Sequence, residues 1–62
     1  MGLTLRQWRR LKEMSQQELA DKLNVHVNTI IRYEQNPDSV TIGMAKEIAD
    51  ALGIPIEDIF LP

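Results

Sequence analysis

Apolar residues recur every three or four positions along most of the chain, which is the period of an amphipathic helix. The clearest run ends at Gly53. It consists of Ile42, Ala45, Ile48, Ala49 and Leu52. Strict alternation of apolar and polar residues, the pattern of a half-buried strand, is not found in the sequence. The pattern therefore predicts an all-α fold without a sheet.

Two capping boxes divide the first third of the chain into two helices. Thr4, followed by Gln7, fits the first box, which opens a helix over about residues 5–13. Ser15, followed by Glu18, fits the second, which opens a helix over residues 16–23. We expect the first helix to turn three apolar side chains inward: Leu5, Trp8 and Leu11.

Turn-forming residues mark the ends of the next two helices. Asn24 follows the second helix, where the chain needs a left-handed residue, and Asn adopts that conformation more readily than any residue except Gly. A third helix is predicted over residues 27–34, because Pro37 in the following turn cluster cannot continue it.

A fourth and a fifth helix are predicted in the remainder of the chain. Thr41 can cap the fourth helix, which Gly53 ends, and Pro55 suits the start of a closing turn over residues 56–61. We therefore expect five short helices. The start at Met1 suits a complete chain, and a fragment of a longer protein is the alternative.

Length and composition limit the kinds of site that the chain can hold. A chain of 62 residues is near the lower size limit of one hydrophobic core, so we expect one domain over residues 1–62. It has no cysteine, and the lone His26 cannot build a metal site. No apolar run approaches the ~20 residues of a membrane span, and no signal-peptide pattern opens the chain. We expect a cytoplasmic protein with no cofactor, no metal and no membrane partner.

Charge is unevenly distributed along the chain, although the formal net charge is −2. Residues 1–34 carry six basic groups against four acidic ones, whereas residues 35–62 carry one, Lys46, against five. One end of the molecule can therefore present a positive surface of the kind that nucleic acids bind. Ordinary solvated surface charge is the alternative interpretation.

Residues 16–34 have the spacing of a helix-turn-helix unit. When Gln16 is counted as the first position, the small Ala20 is fifth, where two helices cross closely, and Asn24 is ninth, at the turn. The inward positions are apolar or aromatic: Leu19, Leu23, Val25, Ile30 and Tyr33. A short helix, a tight turn and a second helix across the first form the geometry that offers one helix to the DNA major groove.

The sequence resembles the phage-repressor and Cro-like family of helix-turn-helix regulators, also called the Xre family. The resemblance extends from Leu5 to Phe60. It rests on SQQELADKL, on the inward pattern of the unit, on Tyr33-Glu34 and on IADALGIPIEDIF. It implies a compact, five-helix, lambda-repressor-like domain that binds an operator in double-stranded DNA and regulates transcription as a repressor or Cro-like protein.

The third helix is the expected recognition helix. At ~100° per residue, Ile30 and Tyr33 define its buried side. Four side chains then project from the opposite arc and are expected to contact bases: Val27, Asn28, Ile31 and Arg32. Asn can pair with adenine and Arg with guanine, while apolar side chains can touch thymine methyl groups. For Ile31, packing against a neighbouring helix or subunit is the alternative.

Several polar residues are expected to contact DNA phosphates. The resemblance implies this role for Gln16 at the start of the second helix, where free N–H groups and the helix dipole favour an anion. Solvated polar surface is the alternative for this residue. Beside the recognition helix, three further residues are assigned to phosphates: His26, Thr29 and Gln35. His26 stands where the family usually has a Ser or Thr cap, so we expect a weaker cap, and an ordinary exposed histidine is the alternative.

Two features on either side of the recognition helix complete the comparison with the family. The resemblance implies an ion pair between Arg9 and Glu34 that holds the end of the recognition helix against the first helix. The loop over residues 35–39 departs from the family pattern, because it has no basic residue and Asp38 would repel a phosphate. We therefore expect few ionic contacts and a shallow salt dependence.

A homodimer is expected, because one module reads only a few base pairs. The resemblance assigns four apolar residues to the two-fold interface: Ile56, Ile59, Phe60 and Leu61. A second interpretation is a protein-interaction module of the same fold, such as an antitoxin or an antirepressor-like adaptor, which the acidic C-terminal half would suit. An enzyme is not expected, because there is no plausible nucleophile beside the single histidine. No small-molecule ligand is expected either.

Overall fold

The computed structural model describes residues 2–60, except for the side chain of Phe60. Within that range the chain forms five α-helices and no strand, so the prediction of an all-α fold is confirmed. The helices are α1 (Leu5–Leu11), α2 (Gln16–Leu23), α3 (Val27–Gln35), α4 (Ile42–Leu52) and α5 (Glu57–Phe60). One turn of 3-10 helix, Pro37–Ser39, lies between α3 and α4.

Both predicted capping boxes are present. The Thr4 hydroxyl accepts from the backbone N–H of Gln7 at 3.1 Å, and the Gln7 side chain accepts from the Thr4 N–H at 2.8 Å. Ser15 and Glu18 make the equivalent pair of hydrogen bonds at 3.0 Å and 2.8 Å. Each box satisfies backbone donors that have no partner inside the helix. α2 begins and ends where the sequence predicted.

Three helices end in the same way, with a left-handed residue. Glu13 has a φ of 54° after α1, Asn24 of 58° after α2, and Gly53 of 71° after α4. After α1, the N–H of Met14 donates to the carbonyl of Arg9 at 3.0 Å, which closes a Schellman motif. α1 therefore ends at Leu11, two residues before its predicted end. The sequence did not mark Glu13 as a left-handed residue.

Two further boundaries differ from prediction by one residue. α3 continues to Gln35, and α5 begins at Glu57 rather than at residue 56. Thr41 caps α4 as predicted, and its hydroxyl accepts from the N–H of Met44 at 3.1 Å. The longest helix in the described part of the chain has 11 residues, and none is long and apolar enough to cross a membrane.

The hydrophobic core is formed mainly by α2, α3 and α4. Its buried members are Leu19, Ala20, Leu23, Ile30, Tyr33, Ile48 and Leu52. Ala20 is completely buried, as expected of the small residue where α2 and α3 pack together. This crossing holds α3 in place with one side in the core.

The predicted inner face of α1 is wrong at one position. Leu11 is 63% exposed, whereas Arg9 is buried. At ~100° per residue, the series Leu5, Trp8, Leu11 rotates steadily in one direction, so its third member leaves the inner face. Arg9 stays within about 40° of Leu5 and takes the inner position instead.

Candidate nucleic-acid interface

The helix α3, which the sequence predicts to contact DNA bases, has one buried side and one exposed side. Ile30 and Tyr33 lie in the core, and Asn28 and Arg32 are exposed. The Arg32 guanidinium carbon lies 5.6 Å from the centroid of the Tyr33 ring, within the range of a cation–π contact. This contact restricts the Arg32 side chain without occluding its hydrogen-bond donors.

The two apolar residues assigned to bases are half-buried. Val27 packs against the core cluster, so only part of its side chain is available to a ligand. Ile31 lines a surface groove between α3 and α1. The sequence left open whether Ile31 faces a neighbouring helix, and it does lie beside one while remaining partly exposed.

His26 caps α3 with its ring. Its Nδ1 accepts from the backbone N–H of Asn28 at 3.0 Å, while the residue itself is exposed. An accepting Nδ1 leaves the ring proton of neutral histidine on Nε2, the atom that does not cap the helix. Thr29 is half-buried in the first turn, and Gln35 is exposed at the last residue of α3.

A polar network joins α1, α2 and α3. Arg9 Nε donates to Glu34 Oε2 at 2.6 Å, and Arg9 Nη1 donates to the carbonyl of Met14 at 2.8 Å. The two ion-paired side chains are 10% and 6% exposed. Gln16 Nε2 donates to Glu34 Oε1 at 3.0 Å. The structure thus places Arg9 and Glu34 together and adds Gln16, which the sequence did not connect to them.

The position of Gln16 differs from both sequence interpretations. Its amide is neither freely solvated nor wholly available to a phosphate, because one amide hydrogen is used by Glu34. Nε2 carries two hydrogens, so one remains for a further acceptor. The Glu34 carboxylate therefore fixes the direction in which this amide points.

A groove of about 420 Å³ lies above this network, between α1, the start of α2 and the end of α3. We call it the basic groove. Its lining residues are Arg6, Arg9, Arg10, Ser15, Gln16, Ile31, Glu34 and Gln35. Sequence reasoning did not assign Arg6 or Arg10 to any site, although their four-residue spacing puts both on one face of a helix.

A second groove, of about 400 Å³, lies between α2 and α4. We call it the acidic groove. Its lining residues are Lys22, Leu23, Glu47, Asp50 and Ala51. The first turn of α2 lines the basic groove and the last turn lines the acidic groove, so the two grooves lie at opposite ends of one helix.

The first turn of α2 also holds the carboxyl group of Glu18. The backbone N–H of Ser15 donates to the Glu18 carboxylate and lowers its pKa, and the Ser15 side chain adds to the effect. A hydrogen bond to the charged form of a carboxyl favours ionisation. Glu18 is therefore held as an anion at the N-terminus of α2, where the helix dipole also favours negative charge.

The residues assigned to a dimer interface are only partly described. Ile56 and Ile59 are half-buried, and Ile59 packs against the core cluster of its own chain. The Phe60 side chain and Leu61 lie outside the described residues. Part of the predicted interface is thus already used to seal the monomer.

The loop after α3 is ordered by local bonds. The Ser39 hydroxyl donates to the carbonyl of Asn36 at 2.7 Å, and Asp38 is exposed. The 3-10 turn in this loop was not predicted, since Pro37 at its first position marked only the end of α3. No cation of this loop is available to a phosphate, because residues 35–39 contain none.

Comparison with known proteins agrees with this geometry. The profile of the helix-turn-helix family matches residues 5–59. An uncharacterized HTH-type transcriptional regulator of Methanocaldococcus jannaschii is 39% identical over 57 residues, which cover 92% of this chain and 86% of that protein. No solved structure matches the chain significantly.

Proposed function

Because this chain belongs to the helix-turn-helix family of Cro/C1 type, we propose that it binds specific sequences of double-stranded DNA and regulates transcription as a repressor or Cro-like protein. The observation that carries the proposal is the outward projection of Asn28 and Arg32 from α3, whose opposite side is buried by Ile30 and Tyr33. In this proposal α3 lies in the major groove.

The exposed side of α3 offers the groups that base recognition needs. Asn28 presents an amide for the adenine edge, and Arg32 presents a guanidinium for guanine O6 and N7. Ile31, with the exposed part of Val27, can contact thymine methyl groups. The Arg32 guanidinium lies over the Tyr33 ring. This contact limits the conformational entropy that the Arg32 side chain loses when it binds DNA.

Phosphate contacts around α3 fix its register on the duplex. Gln16 contributes its remaining amide hydrogen, and His26 can donate from Nε2 while Nδ1 caps the helix. The side chains of Thr29 and Gln35 lie on the same helix and complete this set. Hydrogen bonds of this kind orient a protein on DNA and do not themselves read sequence.

The proposal includes a two-fold homodimer. A dimer sets two recognition helices one DNA turn apart and so doubles the number of bases that are read. We assign its contact to the C-terminal apolar residues, with Ile56 more available than the core-packed Ile59. In this proposal the protein acts on chromosomal DNA in the cytoplasm, and it has no catalytic role.

Equilibrium binding of labelled duplexes tests the proposal. The wild type is expected to bind mixed-sequence DNA at low salt and to select a symmetric site from a random pool. Arg32→Ala should lower affinity for the selected site by about 5- to 150-fold, which corresponds to the ~1–3 kcal/mol of one bidentate base contact. Lys46→Ala removes an exposed cation of α4 and should leave affinity unchanged.

The outcomes separate DNA regulation from the adaptor alternative. Failure of the wild type to bind any duplex at low salt would favour a protein-interaction module of the same fold. If Arg32→Ala lowered the affinity for selected and unselected duplexes equally, base reading by Arg32 would be contradicted, whereas DNA binding by the protein would still stand.

A further inference from the structure

We propose that Arg6 and Arg10 form a phosphate-binding site in the basic groove and supply the main ionic contacts to the DNA backbone. This inference rests on the proposed function and deepens it. It replaces the sequence-based expectation of a shallow salt dependence, which considered only the loop after α3.

The charges that line the basic groove are mostly positive. Three guanidinium groups meet there with one carboxylate, and the buried pair of Arg9 and Glu34 neutralises itself at 2.6 Å. No other ion pair occurs within residues 2–60, so no described carboxylate neutralises Arg6 or Arg10. Both are exposed. The groove therefore has two uncompensated positive charges at its rim and a neutral, rigid floor.

The start of α2 adds to the attraction for an anion. Ser15 and Gln16 line the groove. The capping box uses the N–H groups of Ser15 and Glu18, so the N–H groups of Gln16 and Gln17 remain at the N-terminus of α2. Such N–H groups and the positive end of the helix dipole both favour a phosphate. Two guanidinium groups, these two N–H donors and the remaining amide hydrogen of Gln16 together match the acceptor oxygens of two neighbouring phosphodiesters.

The groove adjoins the recognition surface. Ile31 and Gln35 line it from α3, and Ile31 is one turn from Asn28 on the same helix. A duplex that places its major groove on the exposed side of α3 must carry one of its two backbones past the flank of that helix. The basic groove occupies the flank that faces α1. Two neighbouring phosphates of the bound duplex, one at each arginine, are thus the occupants that position and charge favour.

Two phosphate contacts have a measurable consequence. Each neutralised phosphate contributes about −0.9 to the slope of log affinity against log salt. Arg6 and Arg10 together therefore account for about 12-fold of the affinity lost between about 50 and 200 mM salt. Neither residue touches a base edge in this arrangement, so their effect should be the same on every sequence.

The test measures this slope by fluorescence anisotropy with a selected and an unrelated duplex. Arg6→Gln and Arg10→Gln should each make the slope shallower by about 1, on both duplexes, and the double variant by about 2. Lys12→Gln is the matched control, because it removes a neighbouring cation that does not line the groove and should leave the slope unchanged. Circular dichroism of each variant verifies the helical fold.

Each remaining outcome has a defined meaning. Slopes of Arg6→Gln and Arg10→Gln equal to that of the wild type, with binding retained, would overturn the phosphate site and leave the proposed function intact. Failure of the proposed function looks different, since the wild type would then bind no duplex. Binding of millimolar inorganic phosphate in the groove that leaves DNA affinity unchanged at constant ionic strength would assign the groove to a free anion and also overturn the inference.

Discussion

The basic and acidic grooves share α2 and differ in charge at its two ends. The first turn of α2 faces three arginines and one glutamate, and the last turn faces Glu47 and Asp50 with Lys22. The helix dipole is positive at the first end and negative at the second. The net side-chain charge of each groove lining therefore has the same sign as the end of the helix dipole that adjoins it. A net charge of −2 therefore says little about which face of this molecule is positively charged.

The two grooves also differ in what holds them together. The floor of the basic groove is the buried pair of Arg9 and Glu34, which links the ends of α1 and α3. Beneath the acidic groove, α2 and α4 pack through apolar residues such as Leu23 and Leu52. Loss of one charged group should therefore disturb the basic groove far more than the acidic one.

The largest expected effect comes from removing the floor of the basic groove. Glu34→Ala leaves the Arg9 guanidinium buried without its carboxylate and should lower the free energy of unfolding by about 3–5 kcal/mol. Glu34→Gln keeps a hydrogen-bond acceptor and should cost less. Urea denaturation followed by circular dichroism measures both variants.

The acidic groove supplies the control for this experiment. Glu47 is exposed and has no ion-pair partner within residues 2–60, so Glu47→Ala should change the free energy of unfolding by no more than about 0.5 kcal/mol. Equal effects of Glu34→Ala and Glu47→Ala would contradict the role of the buried pair in holding α3 against α1.

A smaller effect is expected at the opposite end of α2. Lys22 lies in the last turn, where a cation offsets the negative end of the helix dipole. Lys22→Gln should lower the free energy of unfolding by about 0.3–1 kcal/mol, and the effect should shrink in high salt. DNA affinity should not change. A loss of affinity as large as that of Arg10→Gln would show that the two grooves are not functionally distinct.

The smallest effect concerns the pH dependence of the first turn of α2. The pKa of Glu18 is lower in the folded protein than in the unfolded chain, because Ser15 donates hydrogen bonds to the carboxylate. The resulting stability is complete above the ordinary pKa of a glutamate and is lost as pH falls through the lowered value. Glu18→Gln should remove this part of the pH dependence, since Gln does not titrate.

NMR titration of the Glu18 carboxyl carbon measures the shift directly. A midpoint below that of glutamate in an unstructured peptide is expected. A midpoint at or above the peptide value would mean that the capping box does not favour the ionised form.

Local features of the fold could be predicted from sequence because their causes are local. The capping boxes at Thr4 and Ser15, the left-handed Asn24 and the stop at Gly53 each depend on interactions within about four residues. The burial of Ile30 and Tyr33 follows from helical period alone. The left-handed conformation of Glu13 was not predicted, because a glutamate does not indicate it as an Asn or Gly does. Only the turn between α1 and α2 requires that conformation.

The amino-acid sequence was enough to give the five-helix pattern, the buried and exposed sides of α3, and the uneven distribution of charge. The three-dimensional packing was needed to show that Gln16 joins Glu34 and that Arg6 and Arg10 meet α3 in one groove. The physical reason is distance along the chain. Helical period and capping act over a few residues, whereas a groove depends on how separate helices cross, which only packing of the whole core settles.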